Sequence, residues 1–180
     1  MAPRPATGFS LIELILASSL VAMLTAVLAA TFTTSSGLSN QSTTTLRVHE
    51  DHRRNLDAIA NALRGAATAS VTGFDVNGNA TQPTFQNVIG IEDDGTLTLD
   101  SACQITWRKN GETVPGVSQP GELIVTQGGQ KSVLARRVPS GSFQVTRLGG
   151  TLRIQLTTYC LGPRRTLETV AGQTSVTLRN

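Results

Sequence analysis

The feature that most constrains this chain is a long apolar segment from Phe9 to Phe32 that contains a single ionisable side chain, Glu13. A helix over this segment is long enough to cross a lipid bilayer. A lone carboxylate inside such a span costs roughly 2.5 to 3.5 kcal/mol on insertion scales. Glu13 therefore requires a partner, and an amine is the obvious candidate.

The residues before the apolar segment indicate processing. Residues 1–8 are polar, with Arg4 as the only charged side chain. A secretory signal has its small-residue cleavage site after the apolar region, whereas here the small residue Gly8 stands before it. Cleavage after Gly8 would leave the membrane helix on the mature chain. Because no charge lies between Glu13 and Arg47, we expect a cytoplasmic N-terminus and export of the rest, with a plain signal anchor as the alternative.

The segment Gly8–Ile15 reads GFSLIELI, which resembles the prepilin cleavage and methylation motif of type IV pilins and type II secretion pseudopilins. The resemblance implies that a prepilin peptidase of the bacterial inner membrane cuts between Gly8 and Phe9, and that the new amine of Phe9 is methylated. Glu13 falls where the family carries its glutamate. Many major pilins have a proline where this chain has Ala30, and its absence favours minor pilins and pseudopilins.

The spacing of Phe9 and Glu13 explains how such a carboxylate could be used. Residues four apart lie on one helical face, about 6 Å apart along the axis. In a stack of staggered parallel helices, Glu13 of one subunit could meet the Phe9 amine of a neighbour, where an unpaired charge is expensive. We therefore expect assembly with other pilin or pseudopilin subunits through the N-terminal helix. The resemblance adds an inner-membrane assembly platform as a partner.

Residues 33–69 are expected to form the exported half of the helix. Several Thr and Ser residues precede Gly37, so the helix is predicted to fray or bend there. Glu50 and Arg54 have the spacing of an ion pair on its outer face. His49 and His52 have the spacing of metal ligands, but without further His or a suitable Cys we expect surface or interface histidines and no metal. Helical periodicity gives one buried stripe, in which His52 is the only polar member: Val48, His52, Leu56, Ile59 and Leu63.

Residues 70–180 carry turn signals between short alternating segments and predict an antiparallel β-sheet laid against the exported half of the helix. The fold class is therefore α+β. The four predicted domains are a leader at residues 1–8, a membrane or filament-core helix at 9–32, its exported half at 33–69 and the β-sheet domain at 70–180. The predicted strands are 88–91, 96–99, 104–108, 123–126, 132–137, 143–148, 151–157 and 174–178.

Cys103 and Cys160 both fall in the predicted β-sheet domain and are far apart in sequence. A disulfide between them would contribute on the order of 4 kcal/mol in the chain-entropy model. Such a bond requires an oxidising compartment such as the periplasm. We predict the disulfide, with two buried free thiols as the alternative.

Two further groups of residues carry weaker functional signals. Asp75, Asn77 and Asn79 alternate as at the start of a calcium loop, but Ala80 stands where that loop needs glycine, so a solvated turn is expected. The arginine pairs at 136–137 and 164–165 are expected to be solvated charges, with DNA or acidic neighbours as the alternative. The net charge of +3 does not by itself indicate a nucleic-acid partner. No nucleophile and base form a set, so we predict no enzyme and no cofactor.

A second, more diffuse resemblance narrows the class of filament subunit. The segments Ile105–Arg108 and Thr174–Asn180 are similar to strands of minor pilins and pseudopilins of the W and J type. We expect a minor pilin of a type IV pilus-like filament, located in the inner membrane and then in a periplasmic or cell-surface filament. A type II secretion pseudopilin is the alternative. A pilus-borne adhesin or DNA-uptake module is disfavoured by the few aromatic residues outside the membrane segment.

Overall fold

The computed structural model describes residues 10–94, 96–162 and 166–178, and for residues 40 and 41 only the backbone. Within these residues there is one α-helix, α1, which spans Leu11–Arg64 and is 54 residues long. It runs through both compact units of the chain, Met1–Thr43 and Thr44–Asn180. The fold is α+β, with the second half of α1 in contact with antiparallel β-sheets.

In the first unit, α1 accommodates residues with poor helix propensity by local hydrogen bonding. The Thr33 and Thr34 hydroxyls donate to the carbonyl oxygen of Ala30 at 2.9 Å, and the Ser36 hydroxyl donates to Phe32 at 2.6 Å. These bonds satisfy polar side chains within the helix itself. The helix continues through Gly37, so the predicted fray at that residue is wrong.

In the second unit, α1 buries the stripe predicted from helical periodicity. Ile59 and Leu63 are fully buried, and the other three members, Val48, His52 and Leu56, are 5–8% exposed. On the opposite face Glu50 and Arg54 form the predicted ion pair, with 2.5 Å between Oε1 and Nη2. Both predictions are confirmed. They depend only on the helical repeat of 3.6 residues, which can be read from residues that are close together in the sequence.

The described β-strands form two four-stranded antiparallel sheets and one two-stranded sheet, whereas the sequence predicted a single sheet. The first sheet has the order β1-β8-β9-β10, the second β2-β5-β6-β7, and the third is the hairpin β3-β4. The strands are β1 (Asn79–Ala80), β2 (Thr84–Phe85), β3 (Val88–Ile91), β4 (Leu97–Leu99), β5 (Cys103–Lys109), β6 (Pro120–Gln127), β7 (Gln130–Pro139), β8 (Phe143–Leu148), β9 (Thr151–Leu161) and β10 (Leu167–Thr177).

The hydrophobic core lies between the buried face of α1 and the inner faces of the two larger sheets. Ile105 and Leu123 contribute from the second sheet, and Ile154 and Leu156 contribute from the first. Along β9 the residues at 152, 154 and 156 are buried while 153 and 155 are exposed, which is the alternation expected when one face of a sheet is covered.

The strand β7 departs from regular pairing at two points. Glu122 pairs with Arg136 and Gly121 pairs with Val138, which leaves Arg137 as an extra residue opposite β6. Leu134 is a second extra residue, because Leu123 pairs with Ala135 and Ile124 pairs with Val133. Both positions are β-bulges, and Arg137 has a φ of 59°. The bulges redirect side chains along this edge of the second sheet.

Candidate functional site

The apolar part of α1 is the first candidate functional surface. Its large side chains are exposed all around the helix; Leu11, Leu24 and Phe32, for example, are 60–77% exposed. Within the described residues this is the one helix that is long and apolar enough to cross a membrane. Large apolar groups exposed over such a length require a lipid or protein environment.

Glu13 lies in the first turn of α1, the only acidic residue there. Its Oε2 atom accepts a hydrogen bond from the backbone N–H of Ser10 at 3.3 Å. A carboxylate in the first turn interacts favourably with the positive end of the helix dipole. The Glu13 side chain itself is exposed, so it is accessible to a cationic group from outside the helix. The other two residues of the motif, Gly8 and Phe9, lie outside the described residues.

His52 is buried in the contact between α1 and the first sheet. Its Nδ1 atom lies 2.8 Å from the hydroxyl oxygen of Thr158 on β9. Its Nε2 atom is buried and has no hydrogen-bond partner among the described residues. Burial, together with the nearby His49, lowers the pKa of His52, so the imidazole is neutral at physiological pH. His52 is therefore a packing residue of the interface between the helix and the sheet.

The predicted disulfide between Cys103 and Cys160 is wrong, because both thiols are free. Cys103 begins β5 in the second sheet and is 2% exposed in the core. Cys160 lies near the end of β9 in the first sheet, where its Sγ atom is 3.6 Å from Nη1 of Arg137. The two residues belong to different sheets, which sequence spacing cannot reveal. Burial and the charge of Asp100 raise the pKa of the Cys103 thiol.

The alternating segment that resembles a calcium loop forms a closed turn. Oδ1 of Asp75 accepts hydrogen bonds from the backbone N–H groups of Asn77 and Asn79 at 2.9 and 2.8 Å. The N–H of Asp75 donates to the carbonyl of Asn79 at 2.8 Å. One oxygen of the Asp75 carboxylate is thus engaged by its own turn, as in an Asx motif.

Of the four arginines that the sequence identified, Arg136 and Arg137 are exposed on β7, whereas Arg164 and Arg165 lie outside the described residues. Arg137 is 4.0 Å from Asp51 of α1, measured from Nη1 to Oδ2. Sequence reasoning identified this basic pair but missed the bulge at Arg137. Two consecutive charged residues interrupt the alternation of polar and apolar residues in this strand, and they are the signal that could have indicated the bulge.

A comparison with protein-family models, with curated proteins and with solved structures found no match to this chain. The architecture itself is pilin-like: a long N-terminal helix, apolar in its first part, whose second half packs on C-terminal antiparallel sheets.

Proposed function

We propose that this chain is a structural subunit, a minor pilin, of a type IV pilus-like filament. The observation that carries the proposal is that the two parts of α1 have different surfaces. Its first part exposes apolar side chains in every direction, and its second part buries a single stripe against the β-sheets. One continuous helix can then anchor the chain in a membrane and hold the exported domain. The same apolar surface can pack against other helices when a filament forms.

Glu13 supplies the register of that assembly. The processing motif predicts a free, methylated amine on Phe9 after cleavage. In the dry core of a filament, Glu13 and the Phe9 amine of a neighbour would each be costly alone, and their pairing favours one stagger of the helices over others. The chain thus has a non-catalytic role, and its partners are other subunits, the prepilin peptidase and the inner-membrane assembly platform.

A type II secretion pseudopilin is the second candidate, and the free thiols bear on it. A disulfide would have suited a durable extracellular pilus, and the structure removes that argument because Cys103 and Cys160 are not bonded. A pilus subunit is released from the cell surface by shearing, whereas a pseudopilin stays in the cell envelope. Immunoblots of the sheared and the envelope fractions therefore distinguish the two candidates.

The experiment that tests the structural role uses Glu13→Ala and Glu13→Gln in the full chain. We expect both variants to be cleaved and to reach the membrane, because neither changes the Gly8–Phe9 junction. Both should be reduced to background in the assembled filament fraction, since each removes the negative charge. The matched control is Glu50→Gln, which changes a carboxylate on the exposed face of α1. Wild-type amounts of either Glu13 variant in filaments would contradict the proposal.

A further inference from the structure

A cavity of about 420 Å³ lies beside the exported half of α1, where Asp51, Arg137 and Cys160 meet. One wall is α1 between residues 48 and 55, and the others are β7 at 133–137 and β9 at 158–160. Arg54, Arg136 and Arg137 all line this cavity, against one carboxylate, that of Asp51. We call it the basic cavity. Its lining carries a net positive charge.

The bulge at Arg137 in β7 borders the basic cavity. In a regular strand, consecutive side chains point to opposite faces of the sheet. At Arg137 the extra residue and the φ of 59° break that alternation, and Arg136 and Arg137 are both exposed and both line the basic cavity. A positive φ is uncommon and costly for a residue other than glycine. The strain is retained at a position that borders the basic cavity.

The guanidinium groups of the basic cavity are incompletely neutralised within the chain. Arg54 pairs with Glu50, and the Arg137 guanidinium is 4.0 Å from the Asp51 carboxylate, too far for a close ion pair. Arg136 forms no ion pair with any residue that the structure describes. Its exposed guanidinium is available to an incoming carboxylate, for which its planar donors are well suited.

The inner surface of the basic cavity is polar as well. Tyr159, which is 3% exposed, forms part of the wall. Cys160 contributes a half-buried free thiol beside Arg137.

The same chain carries a complementary acidic surface. The turn between β3 and β4 contains Glu92, Asp93 and Asp94, all exposed, and no Lys or Arg occurs from Val88 to Leu99. The strand that leads into this turn exposes Ile89 and Ile91 at 64% and 70%. Among the described strands, β3 and β4 pair only with each other. We call this segment, residues 88–94 and 96–99, the acidic hairpin.

The acidic hairpin and the basic cavity lie at different heights along α1. The hairpin begins at the C-terminal end of the helix, where the N–H of Val88 donates to the carbonyl of Gly65 at 2.8 Å. The basic cavity lies near residue 52, which at 1.5 Å per residue is roughly 20 Å earlier along the axis. Two complementary surfaces at different positions on one subunit make a heterologous contact, which propagates from copy to copy in an open helical assembly.

We propose that the basic cavity receives the acidic hairpin of a second copy of this chain. Glu92 and Asp93 meet the guanidinium groups of Arg136 and Arg137, while Ile89 and Ile91 cover the exposed Val133 at the rim. The contact implies that copies of the chain lie next to one another in the filament. It names the partner of the exported domain and therefore rests on the proposed function.

Cysteine cross-linking in the full chain tests this contact, because Cys160 already lines the basic cavity. In cell envelopes that carry Asp93→Cys, oxidation with copper phenanthroline is expected to produce a dimer and higher oligomers that a reducing agent dissolves. Adding Cys160→Ser should abolish them. The matched control is Asp57→Cys, which places a thiol at another exposed acidic position on α1. No oligomer with Asp93→Cys, or oligomers that persist without Cys160, would overturn the proposal.

Charge reversal gives the second arm of the test. Arg136→Glu is expected to lower the cross-linked fraction by roughly tenfold, the scale of losing a charge pair at an interface. Adding Glu92→Arg to the same chain restores the opposite charges and should recover most of the cross-linked fraction. Protection of Cys103 from a maleimide verifies that each variant is folded. An unchanged cross-linked fraction in Arg136→Glu would contradict the proposal, as would a Cys160 cross-link to a different polypeptide.

The amount of each variant in the filament fraction distinguishes failure of the proposed contact from failure of the proposed function. A variant that enters filaments without cross-linking would overturn the contact and leave the proposed function intact. A chain that is absent from filaments even as wild type would overturn the proposed function.

Discussion

The imidazole of His52 on α1 lies directly against Gly172 of β10, so closely that a Cβ atom at residue 172 would overlap the ring. The other side of the ring is held by Thr158 on β9, whose hydroxyl oxygen is 2.8 Å from Nδ1. His52 thus contacts two neighbouring strands of the first sheet. Because one ring makes both contacts, the contacts with Gly172 and Thr158 together fix the position of α1 on that sheet.

Replacing Gly172 with alanine should destabilise the β-sheet domain. The added methyl group would displace the His52 ring and lie 3.1 Å from Cδ1 of Leu56. Overpacking of this kind typically lowers the free energy of unfolding by about 1–3 kcal/mol. Urea unfolding of the detergent-purified chain, followed by circular dichroism, measures the change. Gly150→Ala is the matched control, since a Cβ atom there has nothing within 4 Å. Equal midpoints for the two variants would show that Gly172 does not restrict the packing.

The β-sheet domain should lose stability as the pH falls below the ordinary pKa of histidine. Burial lowers the pKa of His52 in the folded chain, and the charge of His49 adds to this. Below a pH of about 6.5 the unfolded chain binds a proton at His52 that the folded chain does not bind. The free energy of unfolding is therefore highest above that pH. It declines until the pH passes below the folded-state pKa.

The pH dependence can be assigned to His52 by comparing urea midpoints between pH 5 and pH 8 for the wild type, His52→Gln and His49→Gln. We expect the decline to flatten in His52→Gln, which has no titrating ring at the interface, and to persist in His49→Gln. The same decline in His52→Gln as in the wild type would show that another group is responsible.

The two thiols should differ sharply in reactivity. Cys160 is half-buried beside the basic cavity, whereas Cys103 is 2% exposed and burial raises its pKa, which disfavours the reactive thiolate. We expect a maleimide to modify Cys160 in the folded chain and Cys103 only after denaturation, as read by mass spectrometry of the peptides. Resistance of both thiols until a reducing agent is added would restore the disulfide hypothesis.

The elements that sequence reasoning predicted well are those governed by neighbouring residues. The stripe from Val48 to Leu63 and the pair of Glu50 with Arg54 follow from helical spacing alone. The hairpin of β3 and β4 follows from its acidic turn between two alternating segments. Helix continuity through Gly37 was missed because propensity scales omit the hydroxyl-to-carbonyl bonds that Thr33, Thr34 and Ser36 make in place.

The features that sequence reasoning missed depend on contacts between distant residues. Whether Cys103 and Cys160 share a sheet is decided by strand pairing, and the sequence contains no signal for the division into separate sheets. The bulge at Arg137 depends on its register against Gly121 and Glu122. The contact of His52 with Gly172 joins residues that are 120 positions apart in the sequence. Of the candidate site, Glu13 was identified from the motif and is exposed in the first turn of α1, and its role in assembly stays a prediction.

A bulky residue at the predicted cleavage position should block processing. Gly8→Leu would prevent the close approach of a peptidase to the Gly8–Phe9 bond, so the full-length precursor should accumulate in the membrane and be missing from filaments. Ala6→Leu is the matched control, because it places the same leucine side chain two residues before Gly8. Normal processing of Gly8→Leu, seen as wild-type mobility on a gel, would contradict the cleavage prediction.

Mass spectrometry of the N-terminal peptide from the membrane-extracted protein tests the central claim most directly. If the chain is a pilin-type subunit, the first residue is Phe9 and its amine carries one methyl group. A chain that still begins at Met1, or one cut on the far side of the apolar segment after Phe32, would contradict the account.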